Sequence, residues 1–142
     1  MAAHAEANIG KFFDDPACQT EPLGAVFRRL TRNTARTMLG IEGYYRALFE
    51  LSLRAHDVWP LMRGLETIEA AHVVNLLRSR GIAVDADMQD HAHLAIRMMH
   101  GQIISNMLHG PGPFSADDPR LHEELARVVL RYLGLEEPTP AA

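Results

Sequence analysis

The sequence has very little cysteine, lysine or continuous apolar character, and each shortage excludes a class of protein. Cys18 is the single cysteine among 142 residues, so no internal disulfide framework can form and the disulfide-rich secreted class is excluded. No stretch approaches about 18 consecutive apolar residues, which predicts that no segment spans a membrane. The first residues lack a basic region followed by an apolar run, so we predict no secretory signal and expect a reducing cytoplasm.

Strong positive charge and the common motifs of catalysis are missing as well. The formal net charge is −4 and Lys11 is the one lysine, so no global basic field draws the chain to nucleic acid. The sequence contains no G-x-S-x-G, no glycine-rich phosphate loop and no H-E-x-x-H. Cys18 lies in the acidic stretch "DDPACQTEP", whose carboxylates raise a thiol pKa and so disfavour a nucleophile. We therefore predict neither an enzyme nor a bound cofactor.

What the sequence does contain is helical periodicity, interrupted by proline and glycine. No strand-like alternation of useful length is found, so we predict an all-α fold of about five to six helices. Residues 14–21 are expected to form a loop, and residues 136–142 a disordered tail. Helices are predicted over residues 3–13, 22–38, 44–56, 58–80, 87–109 and 118–133.

The last predicted helix lies in the stretch "DDPRLHEELARVVLRYLGL" and carries more apolar surface than one packing partner covers. Asp117 and Asp118 before Pro119 indicate a helix cap, and Gly134 indicates its end. At about 100° per residue, the apolar arc is about 200° wide, whereas an ordinary surface helix needs roughly 100°. One part of this arc can pack on the domain's own core. The remainder predicts contact with a second copy of the chain.

The helix before it, "DMQDHAHLAIRMMHGQIISNMLHG", is apolar nearly all round, which predicts burial on more than one flank. Gly101 lies inside this helix, where glycine costs about 1 kcal/mol relative to alanine, and close approach of another helix would explain it. We expect the last two helices to form half of a four-helix bundle across a two-fold axis. The candidate interface residues are Ile96, Gly101, Ile104, Leu108, Leu121, Leu125, Val128, Val129 and Tyr132.

An all-helical chain that ends in this helix pair, joined by the loop "HGPGPFSADDP", resembles the C-terminal domain of tetracycline-repressor-type (TetR family) transcriptional regulators. The resemblance covers roughly residues 5–135 and implies a homodimer built on the last two helices. It also implies that the preceding helices surround a pocket for a small apolar or aromatic effector. Residues 1–21 would then be the remnant of a connecting helix and its loop, and residues 22–135 the ligand-binding and dimerisation domain.

The departure from the family pattern lies at the N-terminus, where no turn followed by a recognition helix is found. DNA would be bound only through a helix-turn-helix domain that this chain does not offer. An alternative therefore stays open, namely a free-standing helical interaction protein that pairs with a full-length regulator. Translating the DNA upstream of Met1 in frame distinguishes the two hypotheses. A continuous reading frame that encodes a helix-turn-helix favours the regulator, and a nearby stop codon favours the free-standing protein.

Apolar and aromatic side chains of the central helices are the candidates for the effector pocket, although the same side chains are compatible with plain core packing. His72 lies on an apolar helix face, where it is either a core histidine or a polar contact for a ligand. The candidate pocket residues are Phe27, Tyr45, Phe49, Trp59, Met62, His72 and Met98.

The remaining histidines and carboxylates do not predict a metal site. His91 and His93 are two residues apart and point to opposite sides of a helix, so they cannot share one ion. His93 and His100 share a face, but the sequence shows no third ligand on it. We expect His4, His109 and His122 to be exposed, and Glu66 and Glu69 to lie in solvent.

Overall fold

The computed structural model describes residues 2–54, 57–110 and 112–135, and within these ranges the chain forms α-helices and turns but no strand. The prediction of an all-α fold is therefore confirmed. The helices number seven in the described part of the chain, because the predicted loop 14–21 contains the single helical turn α2. They are α1 (Ala2–Phe13), α2 (Ala17–Thr20), α3 (Leu23–Gly40), α4 (Glu42–Ser52), α5 (Pro60–Ser79), α6 (Met88–His109) and α7 (Pro119–Tyr132). The predicted tail 136–142 lies outside the described residues.

Proline and glycine set the boundaries of the long helices. Pro60 and Pro119 occupy the first turns of α5 and α7, where a missing N–H costs nothing because helix starts leave these donors unpaired. Asp118 caps α7, and its carboxylate accepts a hydrogen bond from the backbone N–H of Arg120 at 2.8 Å. Gly81 and Gly134 follow α5 and α7 with φ angles of 74° and 69°, the left-handed conformation that ends a helix.

Two helix pairs build the core: α5 packs mainly on α6, and α3 packs mainly on α7. Contacts between α3 and α6 join the pairs, while α1 covers α5. Fully buried Phe27, Leu77, Ile96 and Ile103 come from α3, α5 and α6 and meet in the centre. Each such side chain contributes about 1.5–3 kcal/mol through burial, which makes this one continuous core the main source of stability.

The final helix has more contact with α3 than with its neighbour in sequence, α6. The start of α6 and the end of α7 nevertheless meet, because the rings of His91 and Tyr132 lie 5.9 Å apart in an edge-to-face arrangement. The two helices therefore adjoin along one side of the molecule, and each keeps part of its surface exposed there. No helix within residues 2–54, 57–110 and 112–135 is long and apolar enough to cross a bilayer.

Three polar residues that we expected in solvent are buried, so those expectations were wrong. Glu66 and Glu69 are 7% and 3% exposed, because on a wheel of about 100° per residue they fall in the same arc of α5 as Val73. That arc faces α6. His122 is buried because the loop before α7 folds back over it, and its Nε2 atom lies 2.9 Å from the carbonyl oxygen of Ala116.

Candidate functional site

A cavity of about 400 Å³ lies between the N-terminal helix and the central helices of the domain. Its walls are mostly apolar, with polar groups from α1 and α3 near the rim and from α5 and α6 at the other side. The apolar lining is Ala5, Ile9, Phe12, Leu30, Met38, Ile41, Leu61, Met62 and Leu65. The polar and aromatic lining is Asn8, Asn33, Thr34, Arg36, Thr37, Tyr44, Tyr45, Glu69 and His100.

Tyr45 on α4 places a hydroxyl group in the wall of the cavity. The residue is 4% exposed, and its hydroxyl lies 3.6 Å from the sulfur of Met62. Burial, together with the negative charges of Glu66 and Glu69 and the neighbouring Tyr44, raises the pKa of Tyr45 to about 12. The phenol therefore stays protonated at neutral pH and donates its hydrogen bond to the Met62 sulfur.

The charged end of the cavity is a buried pair formed by Glu69 of α5 and His100 of α6. Glu69 Oε2 lies 2.8 Å from His100 Nε2, and this contact is an ion pair when the imidazole is protonated. Burial lowers the pKa of His100, but the charges of Glu69 and Glu66 outweigh burial and raise it above its ordinary value. A second, longer pair joins His93 Nε2 to Glu66 Oε2 at 3.5 Å.

Two atoms of the buried pair lack a hydrogen-bond partner in the described part of the chain. Glu69 Oε1 and His100 Nδ1 are both buried, and neither has a hydrogen-bond partner among the residues that the structure describes. Buried polar atoms are normally paired, because leaving one unpaired costs roughly 1–3 kcal/mol. Since both residues line the cavity, the cavity is where these atoms can be satisfied. The same described residues contain no group of three side chains that could hold a metal ion.

Of the seven pocket candidates, the structure brings two to the cavity, Tyr45 and Met62. The other five lie elsewhere, each for a local reason. Phe27 is 1% exposed and fills the core, and Met98 is 40% exposed on the far side of α6. His72 stacks on Phe13 with ring centroids 5.2 Å apart. Phe49 meets His109 edge to face, and Trp59 precedes the first turn of α5.

Glu69, His100 and the contribution of α1 to the cavity were not among our predictions from the sequence. A helical wheel of α5 held a usable signal, because Glu69 falls in the same arc as Met62, Val73 and Leu76, all of which are buried. No comparable signal marks Asn8 or Phe12 of α1, which reach the cavity only because α1 packs across α5.

A second feature is an exposed apolar surface on α6 and α7, which we call the α6–α7 face. It consists of Leu94, Met98 and Gly101 on α6 and Leu125, Val128 and Tyr132 on α7. Four of these side chains are 40–51% exposed despite being large and apolar. Gly101 is exposed too, and a Cβ atom added there would meet nothing within 4 Å. Nothing in the described part of the chain therefore explains the glycine.

The nine interface candidates divide into three groups. Ile96, Leu121 and Val129 are 1%, 4% and 2% exposed and serve the core of the single chain. Ile104, Leu108 and Leu125 are half-buried at its edge. The exposed group consists of Gly101, Val128 and Tyr132.

No curated protein and no solved structure shows detectable similarity to the chain. A family model described as "Tetracyclin repressor-like, C-terminal domain" matches residues 22–133, which begin just before α3 and end just after α7. The matched region includes most of the cavity lining and the whole α6–α7 face. Domains of this family belong to regulatory proteins, and they typically dimerise and bind small-molecule effectors. The chain therefore belongs to the family of tetracycline-repressor-like C-terminal domains.

Proposed function

We propose that this domain is the sensing part of a TetR-like transcriptional regulator, which binds a small, mainly apolar effector in the cavity. Residues 22–135 would form the ligand-binding and dimerisation unit, and residues 1–21 the end of a connecting helix with its loop. DNA contact would belong to a helix-turn-helix domain in another stretch of polypeptide. Such a regulator works where the genomic DNA lies, so we place it in the cytoplasm.

The observation that carries this proposal is the cavity itself. Its volume of about 400 Å³ falls in the range of small-molecule sites, roughly 300–1,000 Å³. Its lining combines an apolar wall with a few polar groups that can fix the orientation of a ligand, which is the usual composition of such sites. A domain needs no such space for stability, because unfilled apolar volume destabilises a core.

A homodimer is the second part of the proposal, with the α6–α7 face as the interface. Large apolar side chains such as Val128 and Tyr132 are exposed there in the single chain, and contiguous apolar patches commonly mark interfaces. Helix α6 carries both Met98 on this face and His100 in the cavity. A ligand that shifts α6 would therefore change the geometry of the dimer, which couples ligand affinity to DNA affinity.

A cavity-filling variant tests the ligand site. Thr34 lines the cavity, whereas Thr67 on α5 is exposed and makes the same kind of intrahelical hydrogen bond. In a thermal-shift screen of apolar compounds, a true effector should raise the melting temperature of the natural protein and of Thr67→Trp, but not that of Thr34→Trp. At a ligand concentration of about 100 times Kd, the stabilisation amounts to about 2.7 kcal/mol. An equal shift in Thr34→Trp would place the ligand outside the cavity.

A further inference from the structure

We propose that the effector carries a protonated amine on its apolar body, and that the carboxylate of Glu69 binds this amine inside the cavity. This inference rests on the proposed function of the cavity and adds the chemical class of the ligand. It is carried by one buried carboxylate, its orientation and the charges around it.

The geometry of Glu69 leaves one carboxylate oxygen for a ligand. The residue is 3% exposed and lines the cavity. Its Oε2 atom faces His100 Nε2 at 2.8 Å, while its Oε1 atom has no hydrogen-bond partner in residues 2–54, 57–110 and 112–135. A carboxylate only accepts hydrogen bonds. The complementary group of a ligand is therefore a donor, and a charged donor forms the stronger bond.

His100 presents a second unpaired atom beside the first. Its Nε2 atom is turned towards Glu69, which leaves Nδ1 buried and unpaired within the described chain. In the neutral tautomer with the proton on Nε2, Nδ1 accepts a hydrogen bond, whereas in the imidazolium form, which the raised pKa of His100 favours, it donates one. An ammonium group binds Glu69 Oε1 in either form, and it binds His100 Nδ1 as well when the imidazole is neutral. A ligand carboxylate would face the acceptor Glu69 Oε1 in both forms.

The surrounding charges favour a cation over an anion. Glu66 lies one turn before Glu69 on α5 and is 7% exposed, so a second buried carboxylate adds to the negative potential. Both charges reach the cavity wall, since both raise the pKa of Tyr45. Arg36 is the opposing charge in the lining, but it is exposed, and water screens an exposed charge far more than a buried one.

Three compounds with one apolar body test the inference: phenylbutylamine, phenylbutanol and phenylbutyrate. Their affinities for the full chain would be measured by isothermal titration calorimetry at a series of pH values from about 7 to 9, across which an alkyl amine stays charged. We expect the amine to bind about tenfold or more tightly than the alcohol, because a hydrogen bond to a charged partner is the stronger kind. The carboxylate compound should bind most weakly. This comparison needs no variant that might fold poorly.

Two isosteric variants identify the residue responsible. Glu69→Gln keeps the side-chain size and removes the charge, so the amine should lose about tenfold in affinity while the alcohol changes by less than about threefold. Glu66→Gln is the matched control, because Glu66 is equally buried on the same helix but does not line the cavity. It should weaken the preference for the amine less than Glu69→Gln does, because Glu66 contributes a charge but no direct contact. Circular dichroism of both variants would establish that each retains the native helix content.

The other outcomes overturn the inference in distinguishable ways. If phenylbutyrate binds best, Arg36 governs the site and the amine assignment is wrong. If the amine and the alcohol bind equally, or if Glu69→Gln keeps the preference for the amine, Glu69 does not recognise the ligand. The proposed function survives that outcome as long as Thr34→Trp abolishes binding, because the cavity is then still the effector site. If no compound binds and the thermal-shift screen finds no ligand sensitive to Thr34→Trp, the proposed function fails together with the inference.

Discussion

At the scale of single residues, His100 connects the stability of the fold to pH. Its imidazole is buried against the carboxylate of Glu69, with Glu66 and His93 forming the adjacent pair. Burial lowers the pKa of His100, but the carboxylate charges of Glu69 and Glu66 outweigh it and raise the pKa above the ordinary value. Protonation therefore favours the folded state. The stabilisation is complete below the unfolded pKa of about 6.5 and is lost as pH rises through the folded-state value.

This linkage predicts the pH dependence of a His100→Gln variant. The loss in free energy of unfolding relative to the natural protein should be larger at about pH 6 than at about pH 8, because only the natural protein gains the protonated pair. Urea unfolding followed by circular dichroism at the two pH values measures the difference. His4→Gln, an exposed position on α1, is the control and should keep the pH dependence of the natural protein. A loss that is equal at both pH values would contradict the linkage.

The burial of charged residues was the property that we predicted least well from the sequence. Glu66 and Glu69 were expected in solvent because glutamate is seldom buried without a partner. Their partners, His93 and His100, lie on another helix, and only the packing of α5 on α6 brings them together. A helical wheel of α5 can indicate that these glutamates lie on a buried face, but it cannot indicate that histidines of another helix compensate their charges.

At the scale of the element, α7 illustrates what periodicity does predict. The wide apolar arc indicated a helix with two packing surfaces, and the structure divides the arc accordingly. Ala126, Val129 and Leu130 are buried within the chain, whereas Val128 and Tyr132 are exposed on the other part of the arc. The sequence did not indicate that α3 would be the main partner of α7. Helix faces are local properties, while the choice between two apolar partners depends on the packing of the whole core.

The glycine inside α6 makes a prediction at this same scale. Gly101 is exposed and has open space around it in the single chain, so we expect a partner helix to pass close to it in the dimer. Gly101→Leu should therefore weaken dimerisation by at least about tenfold, because the larger side chain keeps the helices apart. Sedimentation equilibrium measures the dimer dissociation constant.

Gly64 provides the control for that measurement. It lies inside α5, is exposed, and a Cβ atom there would also meet nothing within 4 Å. Gly64→Leu gains the same helix propensity but lies away from the α6–α7 face, so the dissociation constant should stay within about twofold. If Gly101→Leu and Gly64→Leu dimerise alike, no helix approaches Gly101 closely.

At the scale of the whole molecule, the proposed ligand site and the proposed interface share one helix. The polar end of the cavity is held by His100, and Leu94, Met98 and Gly101 lie on the outer side of the same α6. Because α6 is a regular helix of 22 residues, a displacement at one side moves the other. The cavity and the α6–α7 face thus share a rigid element, which an effector-controlled dimer would require.

A charge placed in the α6–α7 face tests the assembly. Val128 is 51% exposed in the single chain, so Val128→Glu should cost the isolated fold little stability. In a dimer, however, the new carboxylate would lose its water without gaining a partner.

Arg127→Glu is the neighbouring control, because Arg127 points to solvent. Its exposed ion pairs with Glu123 and Glu124 contribute about 0–1 kcal/mol. We expect Val128→Glu to sediment as a monomer at micromolar concentration with unchanged helicity, and Arg127→Glu to remain a dimer. A dimer that persists in Val128→Glu would move the interface away from α7, while a natural protein that is itself monomeric would refute the homodimer.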